Sequence, residues 1–308
     1  MTDLPETTNL ADVDRATSQR LLFEATTSRS RRVRNQVASV WMLGSLVVAL
    51  VPLALVVYYV VTKGIASIDA AWFTDELPVV IRREGGGMGP AIVGTILITL
   101  GATVLAVPLG ILGAIYLNEY GGQGVMARLI RFMSDVMTGV PSIVMGLFIY
   151  TIWTLEFGFS GIGGSFALAC LMLPIVIRST EEMLKLVSDD LRQGSYALGN
   201  RKWRTVLTVV LPAAFGGITS GVMLAIARAA GETAPLIFTV GAFPGFNNDL
   251  FNGENNALSL QIFNNARVPF PAAQDRAWAA ALTLVAMVFI LTILARIISA
   301  RVAAKHAA

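Results

Sequence analysis

Arg228 and Glu232 are the residues whose types and spacing most resemble working chemistry. They lie four apart in the stretch A-I-A-R-A-A-G-E-T-A-P-L at 225–236, with apolar sequence on both sides. An ionisable side chain at the centre of a lipid-embedded helix costs about 2.5–3.5 kcal/mol on insertion scales, which makes it a functional candidate by default. Residues four apart on a helix share a face, so the guanidinium and the carboxylate can pair. A plainer reading stands beside this one: an internal ion pair that only fixes helix packing, or an arginine snorkelling to the outer interface. Arg178 is the second candidate. It ends another apolar run, where topology alone would also place a cation at the inner membrane boundary.

The remaining reactive residues exclude more than they suggest. Cys170 is the only cysteine and His306 the only histidine. That rules out a disulfide within the chain, a cysteine metal site, a Cys–His pair and a Ser–His–Asp triad, so neither a metal nor another cofactor is expected. A nucleotide-binding loop needs a lysine directly after glycine, and none of the four lysines follows one. Energy for any driven process must come from another polypeptide or an ion gradient, and the chain itself is not expected to be an enzyme. Glu181/Glu182 and Asp189/Asp190 read as a solvated face. Arg201, Lys202 and Arg204 read as topology anchors, with Trp203 as an interfacial aromatic.

The elements that must carry these residues are membrane spans. Of 308 residues 55% are hydrophobic and 14% charged, whereas a soluble domain carries about 25% charged residues. A helix crossing the hydrocarbon core needs about 20 apolar residues. Six charge-free runs qualify: 35–62, 85–118, 136–155, 157–177, 205–227 and 277–295. Residues 1–34 contain no signal-peptide segment and are rich in Arg, Ser, Thr and Asp, which predicts a disordered cytoplasmic tail. A second short cytoplasmic tail is expected at 301–308, leaving 35–300 as one six-span domain. With the N-terminus inside, seventeen Lys and Arg fall on the cytoplasmic side and five outside, which places both termini in the cytoplasm. Pro52, Pro108, Pro141, Pro174 and Pro212 interrupt the spans. Together with small-residue patches they suit a bundle that moves.

The inner loop at about 179–205 differs from the others. Apolar residues at Met183, Leu184, Val187, Leu191, Tyr196 and Leu198 recur near helical spacing, predicting two short amphipathic helices with a turn near Gly199. Here the sequence resembles the permeases of type I ABC importers, whose cytoplasmic loop follows an E-A-A, glycine, I-x-L-P pattern. Gln193, Gly194 and Ser195 stand at the E-A-A positions, Gly199 at the glycine, and Leu211 and Pro212 at the L-P. Gln for Glu removes a charge, and Gly for Ala lowers helix propensity by roughly 1 kcal/mol. The stretch at 225–236, G-V-P-S-I-V-M-G-L-F at 139–148, L-P-I-V-I-R-S-T-E-E at 173–182 and L-Q-I-F-N at 260–264 resemble the membrane subunits of Pst-type phosphate importers. The A-P-L ending favours the PstA family over PstC.

That resemblance implies an all-α integral membrane protein, a six-transmembrane-helix bundle of the type I ABC importer permease kind, in the bacterial cytoplasmic membrane. It implies a heterodimer with a PstC-type permease, two copies of a PstB-type ATPase and a PstS-type external phosphate-binding protein, with inorganic phosphate as cargo and no nucleic acid. It also links arginines at the positions of Arg178 and Arg228 with phosphate passage. A guanidinium suits phosphate because it is planar, permanently charged and donates two parallel hydrogen bonds. Glu232 could compete with phosphate for Arg228 and so limit how tightly the anion is held. The outer loop at 241–276 is the natural contact for a binding protein, although its Asn run could equally be solvated surface. Two rivals remain open: a permease for another oxyanion such as sulfate or molybdate, and a secondary anion transporter, for which no internal repeat is found.

Overall fold

The computed structural model describes residues 29–307. The tail expected over 1–34 therefore lies outside the described residues up to 28, and residues 29–34 form the first turns of a helix. Regular structure among the described residues is helical throughout. The chain divides into two units, Met1–Tyr59 and Val60–Ala308. Helix α1 (Arg29–Gly64) carries Pro52 in its interior, and in the first unit its apolar side chains, Val40, Trp41 and Leu43 among them, are exposed.

The second unit is built around two parallel helices. α2 (Ala70–Thr74) is a short helix whose N-cap, Asp69, accepts a hydrogen bond from the Trp72 amide at 2.8 Å. α3 (Gly89–Ile115) ends in a π-helical turn at Tyr116–Tyr120. After α4 (Val125–Gly139) and α5 (Ser142–Ile149) comes α6 (Gly161–Lys185). The hydroxyl of Ser165 donates to the Ile98 carbonyl at 3.0 Å, and Gly110 lies against Val176. The nearly equal offsets, 67 and 66 residues, mean that α3 and α6 run side by side in the same direction. Ile98, Ala102, Ala106, Leu168, Met172 and Val176 fill the seam.

At Gly110 a Cβ atom would stand 2.6 Å from Cγ1 of Val176, so the two helices approach as closely as they do only because this residue has no side chain. Gly110→Leu should lower stability by about 1–3 kcal/mol through overpacking. Gly113→Ala should be tolerated, because its Cβ would meet Ile177 at an ordinary 3.5 Å. Thermal unfolding of the detergent-solubilised protein compares the two.

The run at 136–155, expected to cross as one span, is broken. α4 and the helical stretch Ser142–Phe157 meet at 104°. Pro141 is the cause: it restricts Val140, which adopts an extended backbone with ψ 128° and stops α4. Among the described residues five helices are long and apolar enough to cross a membrane, or six if the bent pair is one span. After α6 come α7 (Asp189–Ala197), α8 (Lys202–Thr205) with a π-helical turn at Val206–Val210, and α9 (Leu211–Ala230). α10 (Ala234–Thr239), α11 (Leu258–Ala266) and α12 (Pro271–Ala307) complete the chain. α12 runs through the segment expected as a C-terminal tail.

At the end of the bundle opposite α7, polar side chains are built into the structure. Asn255 and Asn256 are buried. Asn256 donates to the Phe243 carbonyl at 2.8 Å and accepts from Gln261 at 2.9 Å, and Gln261 accepts from Asn265 at 3.0 Å. Part of the Asn run that the sequence also allowed as solvated surface is thus structural. Arg276, only 3% exposed, donates to the carbonyls of Ile81, Arg83 and Gly85, fastening the loop before α3 to α12.

Candidate functional site

Arg228 stands in the last turn of α9, and Glu232 lies just past the helix end. Their Nε and Oε1 atoms are 3.7 Å apart, too far for a hydrogen bond, and the side chains are 65% and 20% exposed. The helix stops because residues 231–233 turn into α10, which begins with Pro235 in its first turn. Ser259 of α11 secures that turn by donating to the Glu232 carbonyl at 2.9 Å. The two residues face each other across a helix terminus. Arg228 presents an accessible guanidinium with a weak intramolecular competitor.

Arg178 sits in a charged cluster nearer the α7 end of the bundle. Its Nε donates to Oδ1 of Asp135 at 3.0 Å, and its Nη2 donates to the same oxygen. Its Nη1 stands 3.6 Å from Oε2 of Glu181. Glu181 also accepts from Arg131 Nε at 2.9 Å and pairs with Lys185 at 2.8 Å. Arg131 reaches further, to the carbonyls of Leu117 at 3.0 Å and Gly122 at 3.1 Å.

This corrects the expectation of a solvated face at Glu181/Glu182: Glu182 is exposed, but Glu181 is fully buried. α6 continues as helix past the apolar run, and Glu181 falls one turn after Ile177 and one turn before Leu184, both buried. That spacing was the available signal. Asp135 and Arg131 carried none, since neither lies near Arg178 in sequence. Gly221 of α9 faces Ser179 of α6, and Gly217 faces Met183, so α9 runs antiparallel to α6. Arg228, seven residues beyond Gly221, is therefore roughly 10 Å further along the bundle at 1.5 Å per residue. Arg178 and Arg228 occupy successive levels and share no partner among the described residues.

The loop after α6 folds as a platform. Gln193 and Gly194 are exposed on α7, while Ser195 is buried, its hydroxyl 2.8 Å from that of Thr205. Gly199 has φ +80°, a left-handed conformation that ends a helix readily only at glycine. The turn is where the spacing placed it, although Met183 and Leu184 belong to the end of α6. Leu198 is 84% exposed, with Leu186, Leu191 and Tyr196 also uncovered. Leu211 and Pro212 follow the π-helical turn at Val206–Val210 within one continuous helical segment, Lys202–Ala230.

One residue unmarked by sequence reasoning organises the platform. Arg192 donates to Oε1 of Glu119 at 3.0 and 3.3 Å, to Asp189 at 3.1 Å, and to the carbonyls of Leu184 and Val187 at 2.9 and 2.6 Å. Glu119 belongs to the π-helical turn that ends α3, so α7 is tied directly to a membrane-spanning helix.

Residues 106–304 match the family described as binding-protein-dependent transport system inner membrane component. The chain is 43% identical over 282 residues to the phosphate transport system permease protein PstA 1 of Mycobacterium tuberculosis, covering 90% of this chain and 92% of that protein. It is 45% identical over 272 residues to the phosphate transport system permease protein PstA of Yersinia pestis, covering 88% and 92%. A chain from inward-facing structures of the MetNI methionine ABC transporter shares the fold, with a TM-score of 0.50, 15% identity, and coverage of 70% of this chain and 93% of that one. At this identity and coverage the chain belongs to the PstA family of phosphate transport system permeases.

Proposed function

We propose that this chain forms half of the membrane pathway of an ATP-driven importer of inorganic phosphate. Arg228, Glu232 and Arg178 border the route. The observation that carries the reading is Arg228: a guanidinium 65% exposed beside a carboxylate at 3.7 Å, in a chain of the PstA family. A pathway arginine must be open to its anion and must let it go. Glu232 serves the release by taking the guanidinium back, so phosphate exchanges one partner for another.

The pathway is completed by a PstC-type permease. Two PstB-type ATPases sit beneath the α7 platform, and a PstS-type binding protein delivers phosphate at the opposite face, against the loop at 241–276. Both termini are cytoplasmic. The exposed residues Gln193, Gly194 and Leu198 meet the ATPase, and ATP-driven closure of the ATPase dimer is carried into the spans through α7. Leu198 supplies apolar contact where Gln193 gives no charge.

The test is labelled phosphate uptake into vesicles holding the four-component complex. The native chain should import phosphate with ATP, unaffected by sulfate, and Arg228→Gln should abolish uptake while the ATPase remains assembled. Uptake unchanged by Arg228→Gln would make the arginine a packing group. Inhibition by sulfate would move the cargo to another oxyanion.

A further inference from the structure

Two helices in the Arg178 cluster are joined by a crossed pair of ion pairs that differ in exposure. α4 contributes Arg131 and Asp135, one turn apart, and α6 contributes Arg178 and Glu181, also one turn apart. The cation of each helix meets the anion of the other. In the Arg131–Glu181 pair the side chains are 25% and 1% exposed; in the Arg178–Asp135 pair they are 36% and 59% exposed. A solvent-accessible ion pair opens at little cost, while opening a buried one strands a charge away from water. One bridge is therefore a fixed pin and the other a latch.

The geometry of the latch fits an exchangeable ligand. Asp135 offers a single oxygen, Oδ1, to two N–H groups of Arg178. A phosphate can offer two oxygens in the side-by-side arrangement that the guanidinium fork prefers. The displaced carboxylate, already mostly exposed, returns to water. α4 suits such a change, because its only buried residues are Ala127 and Ser134 and it ends at the sharp break before Pro141. The pin keeps it attached when the latch opens.

We infer that Asp135 is the carboxylate that phosphate displaces from Arg178, with the Arg131–Glu181 pair holding α4 in place during the exchange; the inference rests on the reading of Arg178 as a phosphate-passage residue. Asp135 thus plays at the α7 end of the bundle the part that Glu232 plays for Arg228. Without the competing carboxylate, phosphate arriving at Arg178 from the ATPase face is held more tightly and leaves more slowly.

The experiment uses the reconstituted four-component complex, with the binding protein and labelled phosphate on one face and ATP with increasing unlabelled phosphate on the ATPase face. Asp135→Asn should lower the half-inhibitory phosphate concentration on the ATPase face roughly tenfold, the scale of one charge-assisted hydrogen bond, and reduce maximal transport. Asp135→Glu, which restores the competitor, should return both values toward native. Asp135→Ser is the second variant, and whichever of the Asn and Ser forms assembles decides the matter. An unshifted inhibitory concentration overturns the latch, and failure of both variants to assemble overturns it as well by making Asp135 a structural group. Arg178→Gln separates the premises: native-like uptake in that variant sinks the role of Arg178 itself, whereas a dead Arg178→Gln beside an unshifted Asp135→Asn sinks only the latch.

Discussion

Replacing Glu181 with Gln should destabilise the protein by about 3 kcal/mol, the lower end of what breaking a buried ion pair costs. The carboxylate is 1% exposed and is approached by Arg131, Lys185 and Arg178. Neutralising it leaves three cations gathered around an amide. Lys185, 53% exposed, can swing into water, which keeps the cost from the upper end. Arg131 cannot, because its other hydrogen bonds to the Leu117 and Gly122 carbonyls hold it between α3 and α6. Thermal unfolding of the solubilised complex measures the loss. Glu181→Asp, which keeps the charge on a shorter stem, should recover part of it. A native midpoint for Glu181→Gln would mean that the cluster is solvated and contributes nothing to stability.

Arg192→Ala should have a comparable effect, about 3–5 kcal/mol, but concentrated in one place. Arg192 and Glu119 are 12% and 5% exposed, so the substitution strands Glu119 and frees the carbonyls of Leu184 and Val187. α7 would lose its direct tie to α3 while keeping the Ser195–Thr205 contact on its other side. Faster amide exchange confined to Asp189–Ala197 is the structural readout. In transport the expected signature is uncoupling: ATP hydrolysis continues while phosphate uptake falls. The charge swap Glu119→Arg with Arg192→Glu should recover part of the coupling, since the pair can re-form in reverse although the carbonyl contacts cannot. Equal loss of hydrolysis and uptake would instead show that α7 is needed for ATPase binding itself.

The contrast between these two residues and Arg228 shows what pattern reading can reach. Arg228 stands out from a single stretch of chain, because a charge among apolar neighbours needs no third dimension to look anomalous. Glu181 looked ordinary beside Glu182 and Lys185; its burial follows from α6 continuing beyond the apolar run, which its spacing from Ile177 and Leu184 hinted at. Arg192 and Glu119 are 73 residues apart, and no local pattern joins them. The same holds for Asp135, which meets Arg178 across 43 residues because Pro141 turns the chain and lays α4 against α6.

Composition and charge-free length determined that the chain is a helical membrane protein, since lipid leaves backbone groups no partner but one another. Spacing determined the platform's turn at Gly199, because a left-handed residue after a short helix favours glycine. Arg228 and Glu232 were also legible as a pair, being four residues apart. Tertiary structure alone decided that this pair straddles a helix end, that the third apolar run is broken, and that Asn255 and Asn256 are buried. It alone decided which charges are stranded from water and which are free to exchange. The reason is physical: whether an ion pair is a pin or a latch depends on how much water reaches it, and that is set by which helices pack around it.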